Sequence, residues 1–118
     1  MSVFIDPTSE QFRDFAKSSV TGKVMMLNLL KFKKDGGEQQ YQKYMAATTP
    51  FMQKTNAKVI FYGKPTFSFI GPTELEWDKV LIVEYANKAD FLNMITAEGY
   101  PAAMRTAALE DSRLIVCE

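Results

Sequence analysis

Residues 24–30 read Val-Met-Met-Leu-Asn-Leu-Leu, an apolar run interrupted only by Asn28. A stretch so continuously apolar is a strand covered on both faces, which demands a layered fold. An amide buried in such a strand without partners would cost about 1–3 kcal/mol. Another side chain, a trapped water or a ligand must therefore meet Asn28.

The chain has 118 residues, enough for one domain with a real core. The expected division is a helical extension over 1–22 and a core over 23–118. With 47% hydrophobic residues and no low-complexity segment, disorder is excluded. Lys+Arg and Asp+Glu are 14 each, so no basic excess points to nucleic acid. The one basic cluster, Lys31-Phe32-Lys33-Lys34, reads as a solvated strand end. No apolar stretch approaches the ~18–20 residues of a membrane span, and the N-terminus has no signal-peptide pattern. Cys117 is the single cysteine, so no disulfide forms within the chain; a reducing, cytoplasmic setting is expected.

The chain has no histidine. Ser-His-Asp and Cys-His centres, histidine-ligated haem and the usual zinc sets are thereby excluded. Neither a metal nor a cofactor is expected, and any chemistry must use Asp, Glu, Tyr, Arg, Lys, Asn or Trp.

Thr8 and Gln11 form a capping-box pattern ahead of Phe12, Phe15 and Ala16, which predicts a short helix closed by Gly22. A strand is predicted over 24–32, a turn at Asp35-Gly36-Gly37, and a long helix over 39–55 with a kink or a short break at Pro50. The β-branched and aromatic stretch 57–70 predicts a long strand with a bulge or bend at Gly63-Lys64-Pro65. A third strand is expected over 77–85, helical pieces over 89–96 and 100–109, and a last strand over 112–117. After the first helix the order is β-α-β-β-α-β, the ferredoxin-like α+β pattern with helices on one sheet face.

Two helices cover one side of such a sheet, yet both faces of its strands are apolar. Val24, Met26, Leu30 and Phe32 oppose Met25, Leu27 and Leu29, and Leu81 and Val83 oppose Val80 and Ile82. A homodimer with sheets stacked face to face hides the second face.

Several short runs resemble one family: Ile5-Asp6-Pro7-Thr8, Met26-Leu27-Asn28-Leu29, Ile70-Gly71, Trp77-Asp78, Glu84-Tyr85 and Ala108-Leu109-Glu110-Asp111-Ser112-Arg113-Leu114-Ile115. They look like a DUF1330 protein, a family of unknown function in the dimeric α+β barrel superfamily, over nearly the whole chain. The resemblance implies a ferredoxin-like dimer. The wider superfamily includes cofactor-free monooxygenases, muconolactone isomerase, polyketide cyclases, haem-binding enzymes and ligand-binding modules.

In such a barrel, Asn28 would line the cavity and orient a substrate oxygen or a water; otherwise it is a structural amide. Glu84 interrupts its strand as Asn28 does, and with strands one and three adjacent it is expected near Asn28 or an arginine. Unpaired, its carboxylate would serve as an acid or base. Trp77 suits stacking on a planar substrate and Asp78 a general base, or else a strand anchor and an ion pair. Arg105 and Arg113 are the candidates to hold a carboxylate, from the protein or from a substrate. Tyr41 and Tyr44 share a helical face that suits a core, and Tyr44 is also counted with the substrate-binding candidates.

Two readings stand. One is a cofactor-independent enzyme, monooxygenase- or isomerase-like, acting on a small planar or carboxylated molecule near Asn28. The other is a non-catalytic dimeric module for metabolite binding or interaction.

Overall fold

The computed structural model describes residues 2–118. Helix α1 (Ser9–Lys17) starts at a complete capping box: Thr8 Oγ1 accepts from Gln11 N–H, and Gln11 Oε1 accepts from Thr8 N–H, both at 3.0 Å. Strand β1 (Val24–Phe32) follows, then α2 (Gly37–Thr55), β2 (Lys58–Gly63), β3 (Lys79–Tyr85), α3 (Lys88–Ile95), α4 (Ala102–Ala108) and β4 (Leu109–Cys117). The four strands form one antiparallel sheet in the order β2-β3-β1-β4. This is the expected ferredoxin-like α+β arrangement, with strands one and three side by side.

Burial along β1 alternates strictly. Val24, Met26, Asn28, Leu30 and Phe32 are buried toward the helices, and Met25, Leu27, Leu29 and Lys31 are half-buried on the other face. The core gathers Val24, Met26, Leu30, Tyr41, Leu81, Val83, Tyr85, Met94 and Leu109 between sheet and helices. At the start of α2, Gly36 takes a left-handed φ of 79°. A Cβ on Gly37 would meet the Ala108 carbonyl oxygen at 2.7 Å, so the Gly-Gly pair both turns the chain and lets α2 seat against the α4–β4 junction.

Three local expectations are corrected. The long helix passes Pro50 without the short break allowed for there, with the Thr48 and Thr49 hydroxyls both donating to the Met45 carbonyl. The strand predicted over 57–70 stops at Gly63, because β3 begins at Lys79 and its last pairing with β2 is Val80 with Gly63. The irregularity expected at 63–65 lies instead between Val59 and Phe61. Residues 64–76 carry no helix or strand.

Candidate functional site

The centre of the sheet positions the site. The register aligns Tyr62, Leu81, Asn28 and Leu114 in one row across four strands, and Val59, Val83, Met26 and Val116 in the next. Tyr62 apart, the residues of these rows form the floor of a cavity of about 670 Å³ beneath the helices. That volume falls within the ~300–1,000 Å³ of small-molecule sites. Met45, Thr48 and Met52 of α2, Phe91 and Ile95 of α3, and Phe12 and Phe15 of α1 supply much of the wall. The lining is largely apolar, with polar groups at a few points, as ligand sites commonly are.

Asn28 is 5% exposed. Its Nδ2 donates to the Met26 and Leu81 carbonyl oxygens at 3.2 and 3.3 Å. Carbonyls only accept, so this pairing fixes which way the amide faces. Among the described residues nothing donates to Oδ1. Asn28 thus brings an unused acceptor to the cavity floor.

Beside Asn28, the polar lining is carried chiefly by four phenols and Arg105; the exposed Asp6 carboxylate also lines the cavity, its Oδ1 accepting from the Thr106 hydroxyl at 2.9 Å. Tyr44 and Tyr100 share a hydrogen bond between hydroxyls. Tyr41 stacks obliquely on Tyr44 at 5.2 Å between ring centroids, and Tyr100 meets Tyr44 and Phe51 edge-on. Burial raises the Tyr41 phenol well above its usual range, against the pull of Arg105. Burial likewise raises Tyr44, Tyr85 and Tyr100, with Tyr100 adding to the shift at Tyr44. All four stay protonated at neutral pH and offer O–H groups. Arg105 Nη1 donates to the Ile5 carbonyl at 2.7 Å, and no carboxylate among the described residues lies within ion-pairing distance of Arg105. A half-buried guanidinium in apolar surroundings without a counter-ion is costly unless something anionic meets it.

Of the residues singled out from sequence, Asn28, Tyr44 and Arg105 meet in this cavity. Glu84 does not approach Asn28. It pairs across the ladder with Met25, three residues from Asn28 and so on the alternate side of the strand; it points to the opposite face and ion-pairs with Lys23 at 3.5 Å. Asp78 caps the end of β1: its Oδ2 accepts from Phe32 N–H at 2.8 Å and its N–H donates to the Leu30 carbonyl at 2.7 Å. Trp77 does not line the cavity; its ring lies 5.2 Å from the Arg113 guanidinium, which also faces the Phe4 ring at 4.8 Å. Arg113 touches the cavity, but its Nη1 is held by Asp111 Oδ1 and the Ser112 carbonyl at 2.8 and 2.7 Å. Tyr85 and Tyr100 were not singled out as site residues. Their signal was membership of an aromatic set whose burial only the fold reveals.

No family model matches the chain, and no curated protein matches it. Solved structures do. The RPA0582 protein of Rhodopseudomonas palustris, described as of unknown function, is 34% identical over 98% of this chain and 96% of that one, with a TM-score of 0.87. Its methylated form is 36% identical over 100% and 96%, with a TM-score of 0.88. The chain belongs to the RPA0582 family. More distant likenesses concern the fold. A dimeric ferredoxin-like protein of unknown function from Jannaschia sp. CCS1 is 12% identical over 82% of this chain and 99% of that one (TM-score 0.63). SnoaB, a cofactor-independent oxygenase from Streptomyces nogalater, is 14% identical over 82% and 92% (TM-score 0.56).

Proposed function

We propose that this RPA0582-family chain, of DUF1330 type, is a cytoplasmic homodimer that binds a small carboxylated organic molecule with a planar or otherwise apolar body. The observation that carries this reading is an unpaired guanidinium, Arg105, in an apolar cavity whose floor holds the free Asn28 Oδ1. A carboxylate meets Arg105 and the Tyr41 hydroxyl, the apolar body lies against Met26, Met45 and Phe15, and a hydroxyl or N–H of the ligand donates to Asn28. No helix of the described chain is long and apolar enough to cross a membrane. The half-buried apolar face of β1 (Met25, Leu27, Leu29) and the dimeric state described for several structures of this fold support face-to-face pairing of two copies.

Binding is favoured over acid–base catalysis by the cavity's own groups. Its phenols are held protonated, the two carboxylates considered as acid or base, Glu84 and Asp78, are engaged elsewhere, and the one in the lining, Asp6, is exposed and accepts from the Thr106 hydroxyl. An enzyme here would orient a substrate that supplies its own reactivity, as an electron-rich aromatic or an isomerising carbonyl compound does.

Calorimetric titration with benzoate, 1-naphthoate and decanoate tests the reading. At least one binds the native protein, and Arg105→Leu weakens it roughly 10–100-fold, the value of a charge-assisted hydrogen bond. Absence of binding by all three, or an Arg105→Leu variant that binds unchanged, overturns it.

A further inference from the structure

The least explained part of the molecule is the connection between β2 and β3. Phe67 is 81% exposed, Phe69 89% and Ile70 90%. Among the described residues, no hydrogen bond ties 64–76 to the rest of the chain. The base of this arm is nevertheless fixed, by the Trp77–Arg113 stack and the bonds of Asp78 to both Leu30 and Phe32. The sequence Thr66-Phe67-Ser68-Phe69 alternates polar and apolar, the signature of a strand with one face to bury. Among the described residues no strand pairs with it.

The sheet has an edge to match. β4 pairs only with β1, so its outer edge carries free backbone donors and acceptors. The first part of that edge is occupied by the N-terminal segment: Phe4 N–H donates to Asp111 Oδ1, and Ser112 Oγ donates to the Phe4 carbonyl. Residues 113–117 are open, and Leu114 and Ile115 there are 43% and 47% exposed. Leu114 shares its row with Asn28, so the cavity floor ends uncovered at this strand. Within its own sheet the arm leaves from the opposite edge, where Gly63 pairs with Val80 on β3, and returns at Trp77 beside Arg113, whereas Cys117 lies at the far end of β4, paired with Met25 at the start of β1.

We propose that the arm of one copy adds as a strand to the 113–117 edge of β4 in a second copy, and that Phe67 and Phe69 thereby wall the partner's ligand cavity beside Leu114. The site is then complete only in the dimer. The inference rests on the homodimer and cavity proposed above. A two-fold arrangement makes the exchange reciprocal, and strand addition supplies main-chain bonds with alternate side chains reading the groove. At about 150–250 Å² per aromatic, the four phenylalanines of two arms supply on the order of half of a standard ~1,600 Å² interface. With net charge zero, two copies approach without overall repulsion.

Two measurements decide it. Light scattering of the native protein across a dilution series gives the dimer dissociation constant, which Phe67→Ser/Phe69→Ser raises more than tenfold while the circular dichroism spectrum is kept. The same variant binds 1-naphthoate more weakly at protein concentrations where the native protein is dimeric. Second, Ser68→Cys under mild oxidation yields a disulfide-linked dimer through Cys117, seen on a non-reducing gel and abolished by Cys117→Ser. A native monomer would overturn both this inference and the homodimer. A native dimer unaffected by the double substitution, with no Cys117-dependent crosslink, would overturn the arm alone and leave the sheet-face dimer standing. Loss of the dimer without that crosslink would overturn the seat on β4.

Discussion

The two faces of the central sheet carry similar residue types and use them differently. On the outer face and at the end of the sheet, each polar group is answered by protein: Glu84 by Lys23, Asp78 by two backbone groups, Arg113 by Asp111 and two aromatic rings. On the helix face, the Asn28 amide is half used and Arg105 has no counter-ion among the described residues. Chemistry alone therefore does not mark a site, since carboxylates and an arginine occur on the settled face too. Unused bonding capacity next to open space does.

The largest effect expected to test this contrast is alkaline collapse. Burial holds Tyr41, Tyr44, Tyr85 and Tyr100 above their ordinary values in the folded state. A raised folded value means stability that is fully present below the unfolded phenol value of about 10 and is lost as pH rises beyond it. Phenolate absorbance and loss of helical circular dichroism should rise together above pH ~10. Phenolate appearing in the still-folded protein would show that the cavity face is wetter than its geometry implies.

Next is Asp78→Ala. This removes the acceptor for a part-buried backbone N–H, so a loss of about 1–3 kcal/mol in denaturant unfolding is expected. Affinity for 1-naphthoate should be unchanged. A variant that keeps its stability and loses binding would reverse the assignment of Asp78 to the settled side.

Strand positions and Asn28 itself were legible in the sequence because period-two burial and caps are local signals. The capping box at Thr8 and Gln11, the β1 span 24–32 and the adjacency of strands one and three all follow from spacing. Two things were not. The 57–70 stretch has strand composition throughout, but composition cannot say where the partner strand ends, and pairing stops at Gly63. Glu84 and Asn28 interrupt their strands alike, yet a single step of register puts them on opposite faces. Arg105 lay in a helix whose rotation relative to the sheet no local pattern specifies, so its solitude emerged only with the fold.

Asn28→Leu follows, with a smaller effect on either quantity. The substitution leaves no unpaired donor, and the two backbone carbonyls it abandons tolerate loss better than an N–H would. Unfolding free energy should shift by less than about 1 kcal/mol, the net value of an ordinary hydrogen bond. Affinity should fall about tenfold only for ligands bearing a hydroxyl or N–H to meet Oδ1. Comparing 1-naphthoate with a hydroxylated naphthoate separates the two. A large stability loss with equal affinity for both compounds would make Asn28 structural.

The smallest effect examines the contrast from its weakest side. The Tyr62 hydroxyl is buried and has no partner among the described residues, yet Tyr62 does not line the cavity. By unused capacity alone it would count as a site; by lack of adjoining space it does not. Its ring already has a role, facing the Lys79 ammonium at 5.1 Å, and Lys79 also ion-pairs with Glu38. Phenylalanine keeps that ring and removes only the unanswered hydroxyl. Tyr62→Phe should therefore raise stability slightly, by at most about 1 kcal/mol, because a desolvated donor is lost and nothing is left unpaired. A decrease beyond about 0.5 kcal/mol, the scale of ordinary surface substitutions, would mean that the hydroxyl finds a partner in solution. Since Tyr62 lies on the edge strand that leads into the arm, repeating the measurement below the dimer dissociation constant would show whether that partner comes from the second copy. A penalty that vanishes in the monomer would extend the shared interface from the arm back onto β2.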